Sequence, residues 1–402
     1  MRYIFILMLV VSILGCRKFE DVFIKRNLKF VSIQLNAALS DSPDSSLIPY
    51  TAIDGELLHC TVDCNTSGFF AGSLWYMFEL TGDQHWATNA KRFTESLAPM
   101  QYYAKSHDSG VMLFSSYGNA FRLTNSEAYK QVLINGAELL YTRFNKTMGS
   151  IKSWDDGNAM SGEKWQFPVS IGSLMNLDLL FYASKVSKNP KYREIAITHA
   201  NTLLQNHFRE DGSSCQVVDY DSITGIPLGQ YTKQGLSNTS SWARGQAYGL
   251  YGYVLCFQET GDSNYLRMAE KIANYILTHP HLPFDHIPYW DFNAKDMENL
   301  PERNEKLHKF PNTPRDASAA AIMCSSLFKL SKLSLENKER FKDSAMWILA
   351  SLSRDYKADK DKNKWFVLDH SVGDLPTNTE INVSLNYADY YYLEAMQCYR
   401  NY

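Results

Sequence analysis

Residues 243–259, ARGQAYGLYGYVLCFQE, are followed by Thr260-Gly261-Asp262 and then by residues 265–279, YLRMAEKIANYILTH. Each half carries apolar residues at helical spacing, and the second places small residues such as Ala269 and Ala273, with Ile276, along one face. The glycine between them ends the first helix. The stretch therefore reads as a helical hairpin. The same unit appears at 70–80, Thr81-Gly82-Asp83 and 84–97; at 174–186, Lys188-Asn189-Pro190 and 192–207; and at 317–332, a turn near Ser334 and 338–354. Weaker units cover 25–39 and 126–144, and a closing helix covers 387–402, which brings the helices to about twelve.

Such hairpins cannot bury their apolar stripes alone, so they stack on one another as an open solenoid or a closed ring. Long polar and aromatic connections follow the second helices, at 100–125, 145–168, 210–241 and 280–316. Loops of that length usually carry function, and their placement at one kind of junction gathers them on one face. The expectation is an all-α closed toroid of about six hairpins with a cleft at one mouth. Short strand pairs are expected only near 216–220 and 365–368.

The chain has 402 residues, with 40 Lys+Arg against 43 Asp+Glu and a net charge of −3. Without a concentrated basic block it lacks the footprint of a nucleic-acid binder. Apolar residues at 45% and charged residues at 21% describe a globular protein rather than a disordered one. The 25 Tyr and 8 Trp suit sugar faces and helical cores equally well.

The first residues read as a leader. Arg2 is followed by an apolar run, 3–14, too short to span a bilayer, and by Ile13-Leu14-Gly15-Cys16, which resembles a bacterial lipoprotein processing site. The expectation is a signal segment over 1–16, acylation of Cys16, and a single domain over 17–402 tethered to a membrane outside the cytoplasm, in the periplasm or at the cell surface. An ordinary signal peptide with a chance cysteine is the other reading. Cys60, Cys64, Cys215, Cys256, Cys324 and Cys398 show no metal-like spacing, so neither a metal nor a cofactor is expected. Cys60 and Cys64 are close enough for a local disulfide.

Motifs at the loop-to-helix junctions carry a family resemblance. His107-Asp108-Ser109-Gly110-Val111-Met112, Leu174-Met175-Asn176-Leu177, Arg209-Glu210-Asp211-Gly212-Ser213, Ser241-Trp242-Ala243-Arg244-Gly245-Gln246-Ala247, Pro288-Tyr289-Trp290-Asp291-Phe292, Asp316-Ala317-Ser318-Ala319 and Asp389-Tyr390-Tyr391-Tyr392-Leu393-Glu394-Ala395 together resemble the unsaturated glucuronyl hydrolases of glycoside hydrolase family 88. The match runs in consistent order from about Asn65 to Ala395. It implies an (α/α)6 barrel and an oligosaccharide substrate ending in a 4,5-unsaturated uronic acid. It also implies hydration of the C4=C5 vinyl ether rather than displacement at the anomeric carbon. That chemistry needs a proton donor, a base for water and a clamp for the ring carboxylate.

The resemblance assigns one of two catalytic aspartates to Asp108, whose bland alternative is a turn residue before glycine. The second aspartate, the principal acid/base, falls on Gly172, which can neither give nor take a proton. Further departures are Gln216 for a histidine, Tyr248 for a tryptophan and Asn65 for a tryptophan. Gln234, Trp242 and Arg244 match residues that contact substrate, and His107 beside Asp108, Gln216, Tyr248 and Asn65 are expected with them as substrate-binding residues. Arg244 suits a carboxylate or sulfate, or a structural ion pair; Trp242 suits a sugar face, or packing at the barrel mouth. Asp155, Asp156, Asp178, Asp219 and Asp221 are carboxylates available to replace the lost acid. Three functions follow: a hydrolase of unsaturated uronides with a rebuilt site, a non-catalytic sugar-binding lipoprotein, or a glycosidase on saturated sugars through two carboxylates.

Overall fold

A computed structural model describes residues 22–160, 162–295 and 312–402. The leader over 1–16, Cys16 and part of the 280–316 loop lie outside the described residues. The chain opens with helix α1 (22–40), then β1 (Leu47–Ile53) and β2 (Glu56–Thr61). Helices α2 (Gly68–Thr81) and α3 (Gln84–Ser96) follow, then α4 (Ser109–Leu113), a π-helical turn at Phe114–Gly118, α5 (Asn119–Thr124) and α6 (Glu127–Thr142). Short strands β3 (Phe144–Asn145), β4 (Ser150–Ile151) and β5 (Phe167–Ser170) lead through a 3-10 turn, Ile171–Asn176, into α7 (Leu177–Ser187) and α8 (Pro190–Asn206). Strands β6 (Val217–Tyr220) and β7 (Pro227–Tyr231) precede α9 (Ala243–Thr260) and α10 (Ser263–Thr278). The chain closes with α11 (Ala317–Ser331), α12 (Lys338–Asp355), β8 (Ser371–Asp374), β9 (Thr379–Leu385) and α13 (Asn386–Arg400).

The hairpins form because the breaks do two jobs. Gly261 takes φ 72°, a left-handed turn that costs glycine little, and its N–H closes the end of α9 on Phe257 O at 2.8 Å. Asp262 then caps α10 by accepting the Asn264 N–H at 2.9 Å. Behind that cap, α10 buries Tyr265, Met268, Ala269, Ile272, Ala273 and Ile276, a stripe at i, i+3 and i+4. Each large apolar side chain in it contributes about 1.5–3 kcal/mol by leaving water.

Contacts close the ring. Helix α2 touches the α4–α5 segment, α4 touches α7, α7 touches α9, α9 touches α11, α11 touches α13, and α13 returns to α2. These inner helices are backed by α3, α6, α8, α10 and α12, and α1 joins the two ends of the fold by meeting α13, with the Phe23 ring edge-on to Tyr399 at 5.7 Å. This is the expected (α/α)6 barrel. Helix α11 is buried on nearly every side and is built from alanine and serine, which lets it fit between its neighbours.

Two expectations need correction. Residues 100–125 are not a loop: they contain the inner helix of the second hairpin, α4 through α5. Its glycines and serines serve close approach rather than an apolar stripe; a Cβ on Gly68 of α2 would fall 2.0 Å from Met112 O. Residues 365–368 form no strand pair beyond one bridge, Lys357 to Leu368; instead the N–H groups of Val367 and Leu368 bind the Asp389 carboxylate. Strands are also more numerous than expected. A four-stranded sheet in the order β2-β1-β9-β8 and a three-stranded sheet in the order β5-β6-β7 lie at the mouth where the inner helices begin.

Candidate active site

A cavity of about 320 Å³ opens at that mouth. Its wall combines the first residues of inner helices with the two sheets. Phe69 comes from α2, Val111 from α4, Gly172 from the turn before α7, Arg244 and Tyr248 from α9, and Tyr387 and Tyr391 from α13. Tyr50 of β1, Ser170 of β5, Gly373 and Asp374 of β8, and Thr379 and Glu380 of β9 complete it with Asn65, Thr66, Met175, Gln234 and Trp242. The helix N-termini turn their partial positive charge toward this space, which favours an anionic ligand.

Six of the residues singled out in the sequence thus meet on one wall: Asn65, Gly172, Gln234, Trp242, Arg244 and Tyr248. Gly172 has open room. A Cβ there would sit 3.5 Å from Ser170 Oγ and 3.7 Å from the Tyr248 ring, ordinary contact distances. The position thus lacks a side chain without being barred from one.

The remaining residues stand behind the wall. His107 was expected to touch substrate, but it is buried, and its Nδ1 is 2.9 Å from Asn176 Nδ2. Burial holds its imidazole below the ordinary value, against the pull of Asp108, so it remains neutral. Gln216 was also expected at the substrate and is likewise buried. Its Oε1 accepts from Thr232 Oγ1, Lys233 N and Gln234 N at 3.1, 2.7 and 2.7 Å, and its Nε2 donates to Gln234 Oε1 at 2.8 Å. It is a support for Gln234. Asp108 does not lie on the cavity wall itself. Its Oδ2 accepts from Ser106 Oγ at 2.6 Å, its Oδ1 is 3.5 Å from His107 Nε2, and Val111, one turn on, reaches the wall.

Arg244 is engaged structurally. Its Nη1 donates to Asp316 Oδ2 at 3.1 Å and to Val372 O, and its Nη2 donates to Gly373 O at 2.7 Å. Both ion-pair partners are buried, and the guanidinium lies 4.6 Å over the Trp242 ring. Gln234 Nε2 binds the same Gly373 carbonyl at 2.9 Å. A chain of hydrogen bonds therefore runs Gln216, Gln234, Gly373, Arg244, Asp316, and it fixes the β8–β9 hairpin over the cleft. Arg244 also shares a side-chain hydrogen bond with Tyr248. Burial also raises the Tyr248 phenol above its ordinary value, more than Arg244 lowers it, so it stays a neutral donor.

The candidate replacement acids are all elsewhere. Asp155 pairs with Arg143 and Asp156 with Lys164 at the surface; Asp219 accepts the N–H groups of Gln166 and Phe167; Asp221 closes a turn on Ile223 and Thr224. Asp178 is half-buried, accepts from Tyr251 Oη at 3.1 Å and does not line the cavity. Cys60 and Cys64 are free thiols rather than a disulfide. The carboxyls that do reach the cavity are Asp374 and Glu380, which the sequence reading missed. Nothing in Thr377-Asn378-Thr379-Glu380-Ile381-Asn382 marks Glu380, because only the β8–β9 pairing carries it to the cleft.

A closed helical ring with a polar and aromatic cavity at one mouth is an (α/α)6 barrel with a built cleft, and its relatives give the class of chemistry. No family model matches the chain. An unsaturated glucuronyl hydrolase of Formosa agariphila is 39% identical over 338 residues, 84% of this chain and 80% of that protein. The crystal structure of an unsaturated glucuronyl hydrolase specific for heparin superposes with a TM-score of 0.87 at 44% identity, covering 95% of this chain and 98% of the other. A variant of the Streptococcus agalactiae unsaturated glucuronyl hydrolase, complexed with dGlcA-GalNAc6S, superposes at 0.76 with 25% identity, covering 96% and 92%. The chain belongs to the unsaturated glucuronyl hydrolases, glycoside hydrolase family 88.

Proposed function

We propose that the protein removes a terminal 4,5-unsaturated uronic acid from lyase-generated oligosaccharides by hydrating the C4=C5 bond. The observation that carries this reading is the shared wall: Asn65, Gln234, Trp242, Arg244 and Tyr248 meet at one cavity ringed by helix N-termini. The partial charge of those termini favours the ring carboxylate. Aromatic faces from Trp242, Tyr387 and Tyr391 suit the ring itself. Proton addition at C4 and water addition at C5 yield a hemiketal, whose opening releases the aglycone and leaves a 5-ketouronate.

The similarity to an enzyme specific for heparin makes heparin-lyase disaccharides the first substrates to test. The assay follows loss of the absorbance of the double bond conjugated to the carboxylate. Persistence of that absorbance with glycosaminoglycan, alginate, gellan and ulvan fragments alike rejects the activity. One observation favours a binding protein instead: the wall has no side chain at Gly172, where the family resemblance requires its acid. Calorimetric binding without turnover supports that second reading.

The lipid anchor belongs to the same proposal. Ile13-Leu14-Gly15-Cys16 supports acylation of Cys16 and a location outside the cytoplasm, and no helix of the described residues is long and apolar enough to cross a membrane. Metabolic labelling with a fatty acid, lost in Cys16→Ala, tests it.

A further inference from the structure

Among the described residues, the cavity wall carries two carboxyl groups, both from the β8–β9 hairpin, and they differ in what holds them. Asp374 Oδ1 accepts the Thr377 N–H at 3.2 Å and so closes the hairpin turn. The Glu380 carboxyl makes no hydrogen bond or ion pair among the described residues. Its carboxyl rests on the bare Cα of Gly373, where an added Cβ would fall 1.8 Å from Oε2. Its backbone sits at φ 53°, between Asn378 at 61° and Asn382 at 60°. Asparagine tolerates that left-handed region, but a glutamate there is held by its surroundings and marks a functional constraint. Among the described residues, the titratable groups that share its cavity wall are Asp374 on its own hairpin, Tyr50 on β1, Arg244 and Tyr248 on α9, and Tyr387 and Tyr391 on α13. Arg244, which lines the same cavity, has its Nη groups committed to Asp316 and to the Val372 and Gly373 carbonyls.

Gly172 and Glu380 face one space. A cavity of about 320 Å³ is only about 8–9 Å across if round, so one sugar ring spans from the position that lost its acid to the carboxyl that has no partner. We propose that Glu380 is the catalytic acid that delivers the proton to C4, in place of a side chain at Gly172. The proposal rests on the hydration reading above. The O–H bond of the Glu380 carboxylic acid breaks as its proton forms the C4–H bond with the π pair of C4=C5. The positive charge left at C5 is shared with the ring oxygen. Water forms the C5–O bond and returns one proton to the Glu380 carboxylate, so the group ends as it began and proton and water enter from one face. Burial supports this role by pushing the Glu380 carboxyl up to about 7, where it holds a proton near neutral pH.

The test measures kcat, KM and the pH profile on heparin-lyase disaccharides for wild type, Glu380→Gln, Glu380→Asp, Gly373→Ala and the double variant G172D/E380Q. Glu380→Gln is expected to lose about 10²–10⁴-fold in kcat with KM within a few-fold, and to lose the decline in kcat as pH rises through about 7. Gly373→Ala, which displaces the carboxyl without removing it, lowers kcat too, and Glu380→Asp retains part of the activity. The double variant regains activity over Glu380→Gln, because position 172 has room for a carboxylate. Wild-type kcat and an unchanged alkaline limb in Glu380→Gln overturn the proposal while leaving the hydration reading intact. A wild-type protein that consumes none of these substrates overturns that reading first, and this proposal with it.

Discussion

Replacing Arg244 separates a substrate clamp from a structural tie. Arg244→Met removes the partner of Asp316, whose carboxylate is fully buried, and leaves the Val372 and Gly373 carbonyls without their donor. Breaking a buried ion pair from one side costs about 3–5 kcal/mol, because the remaining charge stays buried and unpaired. In a chain of this size that lowers the melting temperature by about 4–6 °C. Asp316 also caps α11 by accepting the N–H groups of Ser318 and Ala319. Asparagine keeps that cap while removing the charge. The double variant R244M/D316N is therefore expected to melt above Arg244→Met, a coupling that two independent sites do not show. The assay is thermal unfolding beside steady-state kinetics. An Arg244→Met protein that melts with wild type and only raises KM refutes the reasoning, since it makes the arginine a clamp with no part in the scaffold.

Other outcomes follow from the same geometry. Gly172→Ala should melt at or up to about 1 kcal/mol above wild type in stability, because its Cβ meets only ordinary contacts; a clear loss contradicts the open room at that position. Gln216→Ala leaves three donors unpaired and is expected to cost about 1–3 kcal/mol in denaturant unfolding, with a raised KM as Gln234 loses its support. Cys64 is pushed down to about 6 by its hydrogen bond with Cys60, so its alkylation should rise as pH passes through about 6, and a disaccharide in the cleft beside Asn65 should protect it. Burial raises Asp178 to about 7. The folded state then holds that proton more tightly than the unfolded chain, so Asp178 costs stability as pH rises from about 4 to 7. Asp178→Asn removes this slope, and its stability relative to wild type should grow across that window in urea titrations at several pH values.

The hairpins were legible because their signals are local: a stripe of apolar residues, then a left-handed turn at Gly82, Lys188 or Gly261, then an aspartate or asparagine for the next cap. Asp83, Asn189 and Asp262 all serve as such caps. The inner helix at 109–124 was missed because it is not built on a stripe. Gly110 lies against Asn176, where a Cβ would fall 2.4 Å from Oδ1, so the segment packs backbone to side chain and reads as a loop. Family motifs brought Asn65, Gly172, Gln234, Trp242, Arg244 and Tyr248 to one wall. They did not distinguish a residue on the wall from its support, which depends on burial, and so His107 and Gln216 were read as substrate contacts. Glu380 was beyond reach for another reason: it gains its place from pairing between strands and a positive φ, and neither leaves a mark in composition.

The most direct measurement is the fate of the double bond in deuterium oxide. Purified protein with an unsaturated heparin-lyase disaccharide is predicted to bleach the conjugated absorbance and yield a 5-ketouronate carrying one deuterium at C4, with the aglycone released in equal amount. A released sugar that keeps its C4=C5 bond, or an absorbance that never falls while the disaccharide is bound, contradicts hydration at this cleft.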